Sequence, residues 1–597
     1  MEHYIDQWKS VVAAHLNALA KEKGLDELSF SPERIIAEKP PKPELGDVGF
    51  PMFPYAKLFR MAPNQIALDV VARERRIVRE GSEVEMASAC DWPGNLNAVG
   101  PYLNVYLDRA RAVEYLLAHS KEASWGSTSS LGGRRVMVEF SCPNTNKPLH
   151  LGHLRNNVLG ESLSRITAAA GAEVKKVNLI NDRGIHICKS MLAYLAYGEH
   201  RSPEDEGLKS DHFVGKYYVL FNTLKQEDPQ AEQKAQELLQ KWEAGDPEVI
   251  ALWKKMNDWA VEGIMATYKR QQVSFDEFQF EHDTYKLGRE EVLDGLARGI
   301  FYRGEDGAIW IDLEDMGLGK KVLLRKDGTS IYITQDIGTA IMRHETWPFD
   351  ELIYVVASEQ QYHFKVLFEV LRRLGYAWAT NLYHLSYGLV NLPSGRMKTR
   401  EGTVVDADDL IDELAKLAAQ EIIEKGRAEA VGDIQSVAEK IALGALHYYL
   451  LQISPNKDML YNPEQSLSFT GDTGPYIQYM GARASSILRK HEQGEGNAAQ
   501  GSPDPALLVS DADWPLVRLL IELPFTVEQS AKNRDPSILA GYAHAVASEF
   551  SAWYRDNPVL NNENPNMSAS RVALVMAVQS TLRRASELLC VPFLEAM

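Results

Sequence analysis

The chain is poor in cysteine. Only Cys90, Cys142, Cys188 and Cys590 occur in 597 residues, widely spaced and with no CxxC pair. That spacing excludes a disulfide framework and a cysteine-based zinc site. No apolar run approaches the roughly 18 residues needed to cross a bilayer. The opening MEHYIDQWKS has neither the basic start nor the apolar centre of a secretory signal, so a cytoplasmic location is expected. Positive charge is also scarce: a net charge of −18 argues against indiscriminate binding to nucleic acid or anionic lipid. Short basic clusters remain (RERR at 73–76, GRR at 133–135, LRR at 582–584), and composition alone makes each a solvated face.

What is present is ordinary globular material, 45% hydrophobic and 24% charged, in a chain long enough for about two to four domains. Ile5, Trp8, Val12, Leu16 and Leu19 share one face of an opening helix. The Ser/Gly-rich KEASWGSTSSLGG marks a boundary. Beyond it RRVMVEFS reads as a buried strand, HLRNNVLGESLSRITAAAG as a helix with Leu154, Val158, Leu163 and Ile166 on one face, and VKKVNLI as a second strand. Strand, helix, strand implies a parallel sheet. IYIT before DIGTAIMRH, and LIYVVA before HFKVLFEVLRRLG, read as further strand–helix pairs, and a charged, mostly helical stretch at about 195–300 reads as an insertion. From about 407 onward helices dominate, the last carrying Val575, Val578, Leu582 and Leu589 on one face. The expected layout is a small α+β domain at 1–125, a Rossmann-type α/β domain with its helical insertion at 126–455, and an all-α bundle at 456–597.

Chemistry concentrates in EFSCPNTNKPLHLGHLRNN, residues 139–157. In a doubly wound fold ligands bind beyond the carboxyl ends of strands, where helices begin. A helix starting near His150 offers unpaired N–H groups and a positive dipole, a seat for phosphate. Gly152 lets a nucleotide approach the backbone, and His150 and His153, three residues apart, share a face from which each can donate to phosphate oxygens. The competing reading is two satisfied structural histidines. Metal ligation fits less well, because no third ligand lies at a customary spacing.

HLGH resembles the HIGH signature of class I aminoacyl-tRNA synthetases, and VEFSCPNTNKPLHLGHLRNNVLGESLSRI resembles the arginyl-tRNA synthetase family in particular. IYITQDIGTA, YVVASEQQYHF, RMKTREGTVV, LSFTGDTGPYIQYMGARASSIL, GDVGFPMFPYAKLF and GPYLNVYLD resemble further segments of that family, in order along nearly the whole chain. RMKTREGTVV stands where the KMSK loop belongs, with Thr399 at the usual catalytic lysine and Lys398 at the serine. The resemblance implies that Lys147, just before the HLGH helix, takes over from that lysine, with Lys398 and Arg400 nearby.

The resemblance further implies a two-step arginine–tRNA ligase. L-arginine and Mg2+-bound ATP would give arginyl-adenylate and pyrophosphate, and the arginyl group would pass to the 2′-OH of the terminal adenosine of tRNA(Arg). ATP would be held by Leu149, His150, Gly152, His153, Asn156, Met397 and Lys398. A guanidinium demands carboxylates, so Asp336 and Glu139 are the expected acids, with Tyr332 as a wall; each acid has a bland alternative, an N-cap and a structural salt bridge. Cys142, Pro143, Asn144, His153 and Gln360 resemble the family's contacts to the rest of the amino acid. Tyr476, Tyr479, Arg483 and Met597 resemble its anticodon contacts, and Tyr102 and Asn104 its D-loop contacts; Val99 stands where the family carries a polar residue. No resident metal, no membrane association and a monomer are expected. The rival readings are a synthetase for another amino acid such as cysteine, a nucleotidylyltransferase with the same HxGH site, and a non-catalytic RNA-binding paralogue.

Overall fold

A computed structural model describes residues 3–38, 40–42, 45–79, 94–391, 405–560 and 563–597. The chain forms two compact units: Met1–Gly126 with Arg483–Thr526 and Ala545–Arg584, and Ser127–Ala482 with Val527–His544 and Ala585–Met597.

The second unit is built on five parallel strands, β1 (Arg135–Glu139), β2 (Glu173–Ile180), β3 (Glu277–Phe280), β4 (Glu351–Ala357) and β5 (Leu382–Tyr387), in the spatial order β5-β4-β1-β2-β3. That is the doubly wound arrangement, with its switch point between β1 and β4. The middle of β1 and most of β4 are buried without alternation, as strands covered on both faces must be. The helix α1 (Leu151–Ala169) crosses from β1 to β2 and is buried nearly all round. Two of its buried charges are well partnered: Arg155 donates to the carbonyls of Gly388 at 2.5 Å and Lys457 at 2.9 Å, and Glu161 pairs with Arg165 and Lys176 at 2.8 and 3.1 Å. Gly160 is required here, because a Cβ would lie 2.1 Å from Phe140 at the end of β1.

The stretch between β2 and β3 is helical, as expected. It includes α2 (Ser210–Glu227) and α3 (Pro247–Arg270), and its own core gathers Phe213, Tyr217, Trp242 and Met256 with Ile187 and Met191. The expected 195–300 span is not wholly an appendage, since β3 within it returns to the sheet. One reading needs correcting. IYIT is not a strand: α4 (Tyr332–Thr346) begins at Tyr332. Thr334 decides this, because its hydroxyl donates to the Leu323 carbonyl and accepts from Ile331 N at 3.2 Å, capping a helix from β-prone residues. The helix α5 (Gln361–Arg373) follows β4. Beyond β5 come α6 (Ala407–Glu424), α7 (Ile434–Leu451) and α8 (Gly474–Glu492), the last shared between the two units.

In the first unit, helix His3–Glu22 buries Trp8, Val12, Leu16 and Leu19. A three-stranded antiparallel sheet has Tyr102–Leu107 at its centre, flanked by Val48–Pro51 and Gly94–Val99. Asp47 links this sheet to the carboxy-terminal helices of the same unit, accepting from Leu107 N at 2.9 Å and from Trp514 Nε1 at 2.7 Å. Among the described residues no helix is long and apolar enough to cross a membrane.

Candidate active site

His150 is the N-cap of α1, with extended backbone, and its Nδ1 accepts from Gly152 N at 3.1 Å. His153 returns the favour: its Nδ1 accepts from His150 N at 3.2 Å. An imidazole nitrogen that accepts cannot carry the proton, which assigns it to Nε2 in both rings. The rings lie 3.9 Å apart, centroid to centroid. Burial and the Lys147 ammonium pull His150 down to about 4, and burial, then His150 and Lys147, hold His153 well below the ordinary imidazole value. Both are therefore neutral Nε2–H donors at physiological pH. Gly152 does more than admit a ligand, because a Cβ there would lie 3.0 Å from His150 Cε1 and push the capping ring aside.

Lys147 approaches the same two rings. Burial lowers its pKa, and among the described residues its ammonium has no ion-pair partner. A desolvated cation without a counter-ion, beside two N–H donors and a helix N-terminus, is a binding place for an anion.

The peptide between β1 and Lys147 is strained. Ser141 and Cys142 both have positive φ, at 73° and 47°. Side chains on every side hold them there: Asn156 Oδ1 accepts from Ser141 N at 2.5 Å, Asn178 Oδ1 accepts from Cys142 N at 3.1 Å, and the Ser141 and Tyr268 hydroxyls meet at 2.6 Å. Asn156 also donates to the Val355 carbonyl and the Tyr387 hydroxyl at 2.8 and 3.1 Å, so its amide ties β1, β4 and β5 together. The Cys142 thiol is pushed far up by burial and then by Glu139, which keeps it protonated. Pro143 is buried and bonded through its carbonyl to Asn181 N at 2.9 Å, whereas Asn144 is exposed.

Four acids gather nearby. Glu139, at the end of β1 and 7% exposed, meets the fully buried Arg343 at 2.5 Å, so the structural salt bridge exists. Asp336 lies in the second turn of α4, beyond the capping position, and its Oδ2 is 2.6 Å from His363 Nε2. Glu281, just beyond β3 and 8% exposed, is pushed up to about 7 by burial, against Arg183, and further by Asp182 and Asp336. Neither Glu281 nor His363 stood out in the sequence, although Glu281 directly follows a strand, much as Glu139 closes one. Tyr332, at the start of α4, is 76% exposed, and Gln360 is exposed just before α5.

Met397, Lys398 and Arg400 lie outside the described residues. The chain that follows them is anchored to the histidine segment: Leu151 N donates to Val405 O at 3.1 Å and Ala407 N to Leu149 O at 3.0 Å. Elsewhere in this unit, a cavity of about 250 Å³ is lined by Ile441, Phe469, Tyr479 and Met597, with Lys425 and Arg427 at its rim. The Arg427 guanidinium donates to Met597 O at 2.8 Å and lies 5.8 Å from the Tyr479 ring. Rings and cations in one recess suit an unpaired base and its phosphate. Tyr476 is half-buried beside His544, ring centroids 5.8 Å apart. In the other unit, Arg483 lies 4.7 Å from the Tyr554 ring, and Tyr102 makes an edge contact with the exposed Phe53. Asn104 is 4% exposed, pointing inward with its amide donating to Leu45 O at 2.8 Å.

Comparison with known proteins converges on one family. The family model described as tRNA synthetases class I (R), catalytic domain, matches residues 113–462. The DALR anticodon binding domain matches 477–597, and the arginyl tRNA synthetase N terminal domain matches 6–107. The arginine–tRNA ligases of Treponema denticola and Treponema pallidum are 52% and 50% identical to this chain, with the whole of each chain covered. The arginyl-tRNA synthetase of Thermus thermophilus superposes with a TM-score of 0.78 at 27% identity, covering 98% of this chain and 99% of its own. The chain belongs to the arginyl-tRNA synthetases, within class I of the aminoacyl-tRNA synthetases.

Proposed function

We propose that the crevice at the carboxyl ends of β1 and β4 activates L-arginine with Mg2+-bound ATP and passes it to the 3′-terminal adenosine of tRNA(Arg). The arginine carboxylate attacks the α-phosphorus, forming arginyl-adenylate and releasing pyrophosphate. The adenosine 2′-OH then attacks the arginyl carbonyl and AMP departs. Neither step needs a protein nucleophile, so the residues orient the reactants and offset developing charge. His150 and His153 donate through Nε2, the α1 N-terminus and Lys147 meet the phosphates, and Lys398 and Arg400, outside the described residues, join them. Mg2+ arrives on the nucleotide, held mainly by phosphate oxygens and water. The observation that carries this reading is the desolvated Lys147, without an ion-pair partner among the described residues, beside two neutral imidazoles whose Nδ1 atoms are already engaged.

Asp336 takes the guanidinium, with Glu281 completing the acidic wall and Glu139 acting through Arg343. Cys142, Pro143, Asn144, Gln360 and Tyr332 frame the rest of the amino acid. The recess at Tyr479 and Met597 receives an anticodon base, with Tyr476 and Arg483 along the same helix, and the sheet bearing Tyr102 and Asn104 faces the D-loop through Tyr102. A cytoplasmic monomer, divided at about 125 and 455, completes the reading.

Amino-acid-dependent ATP–pyrophosphate exchange, run with and without tRNA(Arg), tests it. Arginine alone should support exchange, and only with tRNA present; exchange driven by cysteine, or none with arginine and tRNA, would overturn the assignment. Glu281 adds a pH signature. A guanidinium favours the carboxylate, so arginine binding should expel the proton that Glu281 holds below about 7. Arginine KM should therefore fall as pH rises through that value, and Glu281→Gln should flatten the change. An unchanged profile in the variant would remove Glu281 from the pocket.

A further inference from the structure

We propose that His212, on the inserted helix α2, is a positioning residue for adenylate formation that holds the 405–407 segment against the HLGH helix entry and so keeps His150 in place. This rests on the activation chemistry proposed above. Asp406 stands directly opposite His150 in an antiparallel bridge. Its carboxylate is held from two sides: Oδ1 caps α6, accepting from Asp408 N and Asp409 N at 2.8 and 3.2 Å, and Oδ2 lies 3.2 Å from His212 Nε2.

The other charges nearby are matched among themselves. Asp408, 4.0 Å from His212, takes Lys209 at 2.7 Å, Arg270 at 3.2 Å and the Thr267 hydroxyl at 2.8 Å. Asp211 pairs with Lys209 at 3.1 Å. Among the described residues, the side-chain partner left to Asp406 is His212. His212, Asp406 and Asp408 fall within 4.8 Å of one another, as metal ligands would, yet the Lys209 ammonium already supplies the positive charge there. The Asp406 carboxylate in turn holds the His212 imidazole above its ordinary value.

One turn along α2, Gly215 packs so tightly on the catalytic peptide that a Cβ would lie 2.7 Å from Pro148 Cδ and 3.6 Å from Lys147 Cα. A single helix thus bears on two of the groups that face the phosphates, on Lys147 through Gly215 and on His150 through His212 and Asp406. Displacement of such groups by about 1 Å costs up to about 100-fold in rate, with no loss of a chemical group.

The test compares His212→Ala and His212→Gln with the parent in the full chain, by arginine- and tRNA-dependent ATP–pyrophosphate exchange and thermal unfolding. The parent's own exchange reports on the activation chemistry, and the ratio of variant to parent reports on His212. Alanine should lower kcat about 10- to 100-fold with arginine KM and unfolding temperature unchanged. Glutamine, which keeps a polar amide within reach of Asp406, should recover most of that loss. Parental exchange in the alanine variant, a glutamine variant as slow as alanine, or a parallel loss of kcat, arginine KM and thermal stability would overturn the proposal.

Discussion

Replacing Lys147 with methionine is expected to cut the kcat of arginine-dependent pyrophosphate exchange by about 100- to 1,000-fold, the cost of losing one preorganised group aimed at transition-state charge. The side chain is half-buried, its pKa is lowered by burial alone, and its charge is felt by both His150 and His153. With no described carboxylate beside it, the ammonium is desolvated without a counter-ion, as the proposed contact with an incoming phosphate requires. Methionine keeps the stem and removes the charge, so the fold should tolerate it and even gain a little stability. Arginine KM should hardly move, because the amino acid is read elsewhere. A methionine variant with parental kcat would transfer the work to Lys398 or Arg400.

The second large effect is expected at Asp336. Asp336→Asn should raise arginine KM on the order of 100-fold, the consequence of breaking a shielded, hydrogen-bonded charge pair, while leaving ATP KM near its parental value. Asp336 is suited to this because, among the described residues, its side-chain partner is His363, 2.6 Å away, which a guanidinium can join or displace. Glu139 makes a poorer probe. Its removal strands the buried Arg343 as an unpaired charge, at a cost of about 3–5 kcal/mol in stability, so damage there would report on folding before recognition. Equal losses for arginine and ATP in Asp336→Asn would mark that residue as structural. Initial-rate kinetics for each substrate, with unfolding temperature as control, separate the cases.

These sites differ in how far they could be read from sequence. The HLGH turn was legible because the cap and the glycine lie two residues apart, a short loop after a strand end, and β1 and β4 because buried parallel strands are continuously apolar. The start of α4 was not. IYIT has the composition of a strand, and only the buried Thr334 hydroxyl, bonded back to Leu323, makes it a helical turn. The pairing of Asp336 with His363 spans 27 residues and exists only because α4 and α5 pack together. Glu281 was hidden in a stretch that reads as helical, although FQFE carries much the same cue as VMVE, a short apolar stretch running into an acid. Asn104 shows the opposite limit: a motif names a residue without saying which way it points, and this one points inward.

In the proposed reading one crevice grips a nucleotide phosphate with neutral imidazoles and Lys147, while Asp336 on α4 and Glu281 just beyond β3 read a guanidinium. A crystal structure of the chain with a non-hydrolysable arginyl-adenylate analogue tests it most directly. The expected result is the α-phosphate surrogate within hydrogen-bond distance of the His150 and His153 Nε2 atoms, with the guanidinium against Asp336. An analogue seated away from the α1 N-terminus, or one whose guanidinium turns from Asp336 and Glu281, would contradict it.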